Sequence, residues 1–212
     1  MPASLPKHRV RRHPERGHYD EATINAILDE ASFCHVAVVR DGLPVVIPTL
    51  HVRIGSRVYI HGAVAAGLLK DLAQDQPVSL AVTLLDGLVL ARSFYNHSAN
   101  YRSVVAFGIP TEVTDPDAKL SVLKEMANRF TPGRWDDARV PNAIELKRTR
   151  VFAIPVDHAS AKIRTGPPVD DPEDMDRPTW AGVLPLAITR GEPVADPNQD
   201  PPVPLPDYLR GR

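Results

Sequence analysis

The chain has 212 residues, of which 43% are hydrophobic and 24% charged, with a formal net charge of −1; this length suits one domain, and the balance gives no bulk pull toward nucleic acid or an anionic membrane. No apolar run approaches the roughly 18 residues of a membrane span and the opening residues hold no apolar stretch like a secretory signal, so the expectation is a cytoplasmic protein with a small-molecule partner. The lone cysteine, Cys34, has no second thiol for a disulfide or a zinc site and reads as a core residue.

Residues 1–19 read as a basic arm (Lys7, Arg9, Arg11, Arg12, Arg16), 20–190 as the main domain and 191–212 as a proline-rich tail. Asp20 can cap a helix running to Glu30, with Ile24, Ile27, Leu28 and Ala31 at helical spacing, that covers one end of the β structure. From His35 the period becomes two. The runs HVAVVR, LPVVIPTLHVR and RVYIHG, separated by Asp41-Gly42 and Gly55-Ser56, read as three consecutive antiparallel strands. Residues 63–74 read as a short helix with Leu68, Leu69 and Leu72 on one side, stopped by Pro77. VSLAVTLL and LVLARSF flank Asp86-Gly87 as a further hairpin, and YRSVVAFGIPTEV reads as a long strand bent at Gly108 and Pro110. Asp115-Pro116 opens a helix whose buried face holds Leu120, Leu123, Met126, Ala127 and Phe130. Residues 142–148 read as another turn or two of helix, and VFAIPV closes the β set.

Such a set predicts a mainly β fold, an antiparallel closed or split β-barrel with peripheral helices, because closure removes exposed edges; a sandwich is the alternative. Eleven of the 22 prolines follow Gly166, so that stretch should be extended. Within it, WAGVLPLAI is apolar enough to dock as a last strand, and the final dozen residues are expected to be loose.

The sequence has no GxGxxG, Walker loop, GxSxG, His-x-x-x-His or Cys-x-x-Cys, which removes weight from Rossmann cofactors, NTP hydrolysis, serine hydrolysis and a compact zinc site. Polar residues instead interrupt apolar strands in three places: Pro48-Thr49 with His51, His61-Gly62-Ala63, and the run from Arg92-Ser93 through Asn96-His97-Ser98 to Tyr101-Arg102-Ser103. Such interruptions mark a barrel mouth or a lined pocket, against the blander reading of a solvated loop. The His61 junction offers backbone N–H groups to a phosphate, and Lys70 either faces the same anion or is a solvated lysine. His61 is either a satisfied polar residue or a ligand contact, and His51 has the weaker case. Lys162, Arg164 and Thr165 leave a terminal strand as a third cluster that suits an anion. The acidic run Asp170, Asp171, Glu173 and Asp174 reads as solvated. Trp180 reads as core packing in preference to stacking on a planar ligand.

The segments VIPTLHVRIGSRVYIHGA, TLLDGLVLARSFYNHSANYRSVVAFG and ASAKIRTGPPVDD resemble the pyridoxamine 5′-phosphate oxidase-like FMN-binding split-barrel family, in its flavin-nucleotide-binding and nitroimidazole-reductase-like branch. The resemblance implies a homodimer of split barrels with FMN in the grooves between subunits. It implies contacts from Val46, Ile47, Pro48, Thr49 and Leu50, from Ile60, His61, Gly62 and Ala63, and from Asn96, His97, Tyr101, Arg102 and Ser103, some of them across the dimer. The flavin would supply the redox chemistry while the protein places positive charge near N1 and O2, with Arg102 or Arg164 in that role. One departure concerns the phosphate. Relatives place a Ser-Arg pair after the HGA-like junction, whereas Ala66 and Gly67 stand here, leaving backbone N–H groups and Lys70 as partial substitutes. The expected activity is an FMN-dependent oxidoreductase acting on a small molecule by hydride or electron transfer. The alternatives are a flavin carrier without turnover, and a haem-binding relative with His51, His61 or His97 as axial ligand.

Overall fold

The computed structural model describes residues 8–210. Lys7 of the expected basic arm and the last two residues of the expected tail, Gly211 and Arg212, lie outside the described residues. In chain order the elements are β1 (Gly17–His18), α1 (Glu21–Glu30), β2 (Phe33–Arg40), β3 (Leu43–Leu50), β4 (Val52–Ile54), β5 (Arg57–Ala63), α2 (Gly67–Leu72), β6 (Val78–Leu90), β7 (Ser98–Gly108), β8 (Thr111–Glu112), α3 (Pro116–Phe130), α4 (Arg134–Asp137), α5 (Ala143–Lys147), β9 (Thr149–Pro155), β10 (His158–Arg164) and β11 (Gly182–Pro185).

Local chemistry sets the boundaries. The Asp20 carboxylate accepts from the Thr23 N–H at 2.8 Å and starts α1, while Asp115 accepts from Ala118 N–H at 2.8 Å and starts α3 behind Pro116. Asp41 and Gly42 both take positive φ, 52° and 79°, the combination a tight hairpin needs to match strand twist. Ala63 stays in β5, and Ala66 N–H bonds back to the Ala63 carbonyl at 2.9 Å, so α2 is shorter than the apolar spacing predicts.

The strands form an unclosed, split arrangement of two antiparallel sheets. The seven-stranded sheet runs β1-β10-β7-β6-β2-β3, with β11 added beside β6, and the four-stranded sheet runs β4-β5-β9-β8. Two expected strands are divided where the chain passes between sheets. LPVVIPTLHVR breaks at His51, which is fully buried and whose Nε2–H donates to the Leu28 carbonyl at 2.9 Å; the side chain turns into the α1 contact and separates β3 from β4. Likewise YRSVVAFGIPTEV breaks at Gly108, where any Cβ would sit 2.8 Å from the Pro155 carbonyl oxygen.

The hairpin expected at Asp86-Gly87 is absent. β6 runs straight through as one 13-residue strand, and its ladder with β7 shifts register between Leu85 and Gly87. Turn-forming chemistry serves here as a β-bulge, and the missing Cβ of Gly87 admits β11, since an added one would lie 3.0 Å from Leu184 O and Val183 Cγ1. β11 pairs Gly182 to Pro185 with Leu90 to Gly87, so the apolar segment near the C-terminus docks as a strand, as its composition implies. Trp180 does not enter the core: it is 67% exposed and lies over Gly182, because β11 covers a sheet margin instead of filling the interior. Within the tail, Tyr208 donates to Asp137 at 2.6 Å, a contact between the described end of the chain and α4.

The main core packs α1 and α2 onto inward residues of both sheets, among them Val36, Leu80, Val104, Phe152 and Ile154. Cys34 is buried within it, and burial pushes its thiol up to about 12, as expected for an inert core cysteine. A second cluster seats Val122 and Met126 of α3 on Val52 and Val151. Among the described residues no helix is long and apolar enough to cross a membrane.

Candidate functional site

Strand alternation gives the seven-stranded sheet an outward face whose composition changes across it. One row of register partners reads Pro48, His35, Ala81, Val105, Ser160, and the next reads Val46, Ala37, Ser79, Phe107, His158. Toward β3 this face exposes Val46, Leu50, Phe33 and Val39; toward β7 and β10 it carries hydroxyls and cations. Exposed β-branched and aromatic side chains on that scale mark a surface meant to be covered.

β3 is the edge strand, paired only with β2. Val46, Pro48 and Leu50 point outward, while Ile47 and Thr49 are half-buried and Ile47 packs against the core. β5 approaches β3. There Ile60 is fully buried, His61 and Gly62 are half-buried and Ala63 is exposed. The Nδ1 atom of His61 is buried without a hydrogen-bond partner, and burial holds the imidazole below its ordinary pKa, so the ring is neutral. A Cβ at Gly62 would meet Leu69 Cδ2, the tip of a side chain on α2, at 2.9 Å. Lys70 is exposed on α2.

At Gly67 the structure shows what stands where the resemblance leads one to expect an arginine. The Arg40 guanidinium lies over this glycine, 2.9 Å from where a Cβ would be, and pairs with Asp71 at 2.6 Å. The sequence carries no signal for this pair, which joins β2 to α2 across 31 residues.

The second half of the expected site lies on β7 and the turn before it. Asn96 donates to Asp171 at 3.2 Å. His97 Nδ1 bonds to the Ser93 carbonyl at 2.8 Å, and its ring stacks on Phe94 at 4.8 Å. That bond fixes the proton on Nδ1 and leaves Nε2 as a lone pair. Phe94 and Tyr95 beside it are each 92% exposed. The acidic run is not simply solvated: Asp170 accepts from Arg92 N–H at 2.7 Å and from its guanidinium at 2.8 Å, and Asp174 is buried. Asp170 and Asp171 thus strap the segment after β10 onto the β6–β7 connection, while Asp174 pairs with Arg177 of its own segment at 2.5 Å.

The two arginines considered for the flavin ring have opposite surroundings. Arg102 spends four of its five N–H donors on its own chain, on Asp86 at 3.0 and 2.7 Å and on both oxygens of Glu30. These carboxylates raise its pKa, and Arg102 in turn holds the Glu30 carboxyl below its usual range. Arg164 is buried and meets only neutral acceptors: Asn100 Oδ1, Gly166 O at 3.2 Å and Pro167 O at 3.1 Å. Burial, followed by the nearby Arg16, pulls its pKa down. A buried cation without a counter-charge is costly. Asp86 and Glu30, which neutralise Arg102, escaped the sequence reading because one resembled a turn residue and the other a helix end.

Within one chain the two halves stand apart. In the order β7-β6-β2-β3, β3 and Tyr101, Arg102 and Ser103 are separated by three strand steps, roughly 14 Å. A cleft of about 340 Å³ lies beside Ser103, between β7, β10 and the N-terminal arm. Another of about 500 Å³ lies near α1 and the β4–β5 turn and contains none of the expected site residues. Among the described residues, no group of three His, Cys, Asp or Glu side chains is placed to hold a metal ion.

The sequence profile described as pyridoxamine 5′-phosphate oxidase matches residues 20–163. Among curated proteins no match is found. Among solved structures, the flavocytochrome Anf3 from Azotobacter vinelandii superposes with a TM-score of 0.90 at 40% identity, covering 95% of this chain and 94% of its own. The FAD and heme binding protein from Mycobacterium smegmatis gives 0.87 at 36% identity, with 92% and 96% covered. A FAD-binding protein from Mesorhizobium loti gives 0.52 at 17% identity, with 71% and 98% covered, a likeness of fold.

Proposed function

This chain belongs to the pyridoxamine 5′-phosphate oxidase family, and from that premise we propose that it is a flavin-nucleotide-binding oxidoreductase, working as a homodimer on a small molecule. The observation that carries the reading is the likeness, over nearly the whole chain, to a flavocytochrome and to a FAD and heme binding protein. FMN is the flavin that the sequence resemblance implies, and FAD is the one named for the second of these relatives.

The residues present fit a flat, partly anionic ligand. Val46, Pro48 and Leu50 offer an apolar strip on an edge strand, with His61 neutral beside it. Bound flavin would supply hydride or electron transfer at its ring. Arg164, uncompensated by any carboxylate, is the better cation for the pyrimidine edge, because Arg102 is already neutralised by Asp86 and Glu30. The separation of β3 from β7 by three strand steps, roughly 14 Å, supports the dimer, in which one copy lays its β7 turn, with the exposed Phe94 and Tyr95, over the other copy's β3.

A haem is the second reading, favoured by the geometry of His97. Its Nδ1–H is held by a backbone carbonyl and its Nε2 lone pair is free beside two exposed aromatic rings, the arrangement by which proteins orient a ligating imidazole. His51 does not fit, since its Nε2 is committed to Leu28 and the ring is sealed in the core.

The test is the absorption spectrum of the purified protein, followed by titration with FMN and FAD and a turnover assay with a nicotinamide donor. Flavin bands or tight uptake support flavin binding, and a Soret band lost in His97→Ala supports the haem. A protein that takes up neither flavin overturns the main reading, and one that binds flavin without turnover reduces it to a carrier.

A further inference from the structure

The cleft between the N-terminal arm and the outward face of β7 and β10 carries charge of one sign. Arg11 and Arg12 line it from the arm and Lys162 from β10, with the hydroxyls of Ser103 and Ser160 and the ring of His8. No carboxylate is among the described residues that line it, and within the described residues Arg11, Arg12 and Lys162 make no ion pair. The chain as a whole has a net charge of −1, so composition does not explain three uncompensated cations around one concavity of about 340 Å³. Their mutual repulsion is relieved by an anion.

We propose that this cleft binds the phosphate or diphosphate of the flavin nucleotide, an inference that rests on the flavin reading and adds the site of its anionic end. Two arginine forks, an ammonium and the Ser160 hydroxyl make a suitable donor set for phosphate oxygens, the Ser103 hydroxyl being donated to the Lys162 carbonyl at 3.3 Å. Ser103, expected from the resemblance to touch the flavin, also lines this cleft. Lys162 and Arg164 are two residues apart on β10, about 7 Å, a span that one flavin nucleotide bridges between pyrimidine edge and phosphate. The place near α2 where the resemblance puts a phosphate-binding arginine is taken by the Arg40–Asp71 pair over Gly67, so the anion needs another seat.

The experiment compares the full chain with Arg11→Gln/Arg12→Gln/Lys162→Gln and with the arm-only variant Arg11→Gln/Arg12→Gln, each checked for folding by thermal melting. Riboflavin, FMN and FAD are titrated by fluorescence and inorganic pyrophosphate by calorimetry. In the unaltered chain FMN and FAD should bind at least tenfold tighter than riboflavin. In the triple variant that advantage should vanish while riboflavin affinity holds, with the arm-only variant between them. Pyrophosphate heat should disappear in the triple variant. Persistence of the nucleotide advantage there, or pyrophosphate binding that the substitutions leave unchanged, overturns the proposal. If no flavin binds to the unaltered chain the flavin reading fails. Pyrophosphate binding lost in the triple variant would then still support an anion site, and its absence from the unaltered chain would sink that too.

Discussion

Arg102 and Asp86 meet across the bulge in β6: Arg102 Nε lies 3.0 Å from one Asp86 oxygen and a terminal nitrogen lies 2.7 Å from the other. Asp86 is the residue left over where the β6–β7 ladder changes register, so the irregularity of one strand supplies the counter-ion for the next. The strand pair thereby closes its own charge, with Glu30 of α1 as second acceptor.

Arg102→Ala should lower stability by about 1 kcal/mol, since Arg102 and both its partners keep substantial solvent contact, and should change flavin affinity less than about threefold. Urea titration reads the first and fluorescence titration the second. A large loss of affinity with unaltered stability would return Arg102 to the ligand.

Arg164→Gln should weaken flavin binding by about 1–3 kcal/mol, the worth of a charged hydrogen bond. It should also make the flavin potential more negative, because a cation near N1 and O2 stabilises the reduced ring. Arg164→Lys, which keeps the charge, should restore part of the potential. A potential unmoved by either substitution would leave Arg164 with a purely architectural role, tying β10 to Gly166 and Pro167.

Stability should fall on acidification from pH 7 to 5. His51 donates through Nε2 and has no partner for Nδ1, and its pKa is held down chiefly by burial; His61 is likewise lowered by burial. The folded chain therefore binds fewer protons than the unfolded one once pH drops below about 6.5, and acid favours unfolding. His51→Gln, which keeps a donor for Leu28, should flatten that slope in urea titrations at the two pH values. An unchanged slope would assign the loss to other groups.

Gly108→Ala should cost about 1–3 kcal/mol, the range of overpacking in a core. The added methyl would face the Pro155 carbonyl oxygen at 2.8 Å and its ring at 2.9 Å, backbone and ring atoms that cannot swing aside. A melting temperature equal to that of the unaltered chain would show that the passage between sheets has slack.

Ala66→Ser with Gly67→Arg should displace Arg40 from Asp71 yet change FMN affinity less than about threefold, because the anionic end is assigned to the arm cleft; a phosphate at α2 would instead gain about tenfold from one bidentate contact. Fluorescence titration decides. A gain of about tenfold would put the anionic end of the ligand at α2 and count against the arm cleft.

The fold class was legible because alternation, Asp41-Gly42 and the caps at Asp20 and Asp115 are local signals. What escaped depended on distant partners. Asp86-Gly87 has the composition of a turn, and only the arrival of β11 shows why it forms a bulge. Trp180 sits in an apolar run that covers a margin instead of entering the core. Arg102 and Arg164 look alike as letters, and their difference lies in which carboxylates the fold brings within 3 Å. The basic arm was visible as a charge run, but nothing local said that it would lie beside Lys162.

The late arrival of β11 bears on how the molecule assembles. β6 has β2 along its first half and β11 along its second, and β11 is made nearly a hundred residues after the strand it completes. While the chain leaves the ribosome, the margin at Leu88, Val89 and Leu90 stands open to any passing strand, and only release of the proline-rich segment shields it. A chain truncated before Gly182 should fold its two sheets and then aggregate through that margin.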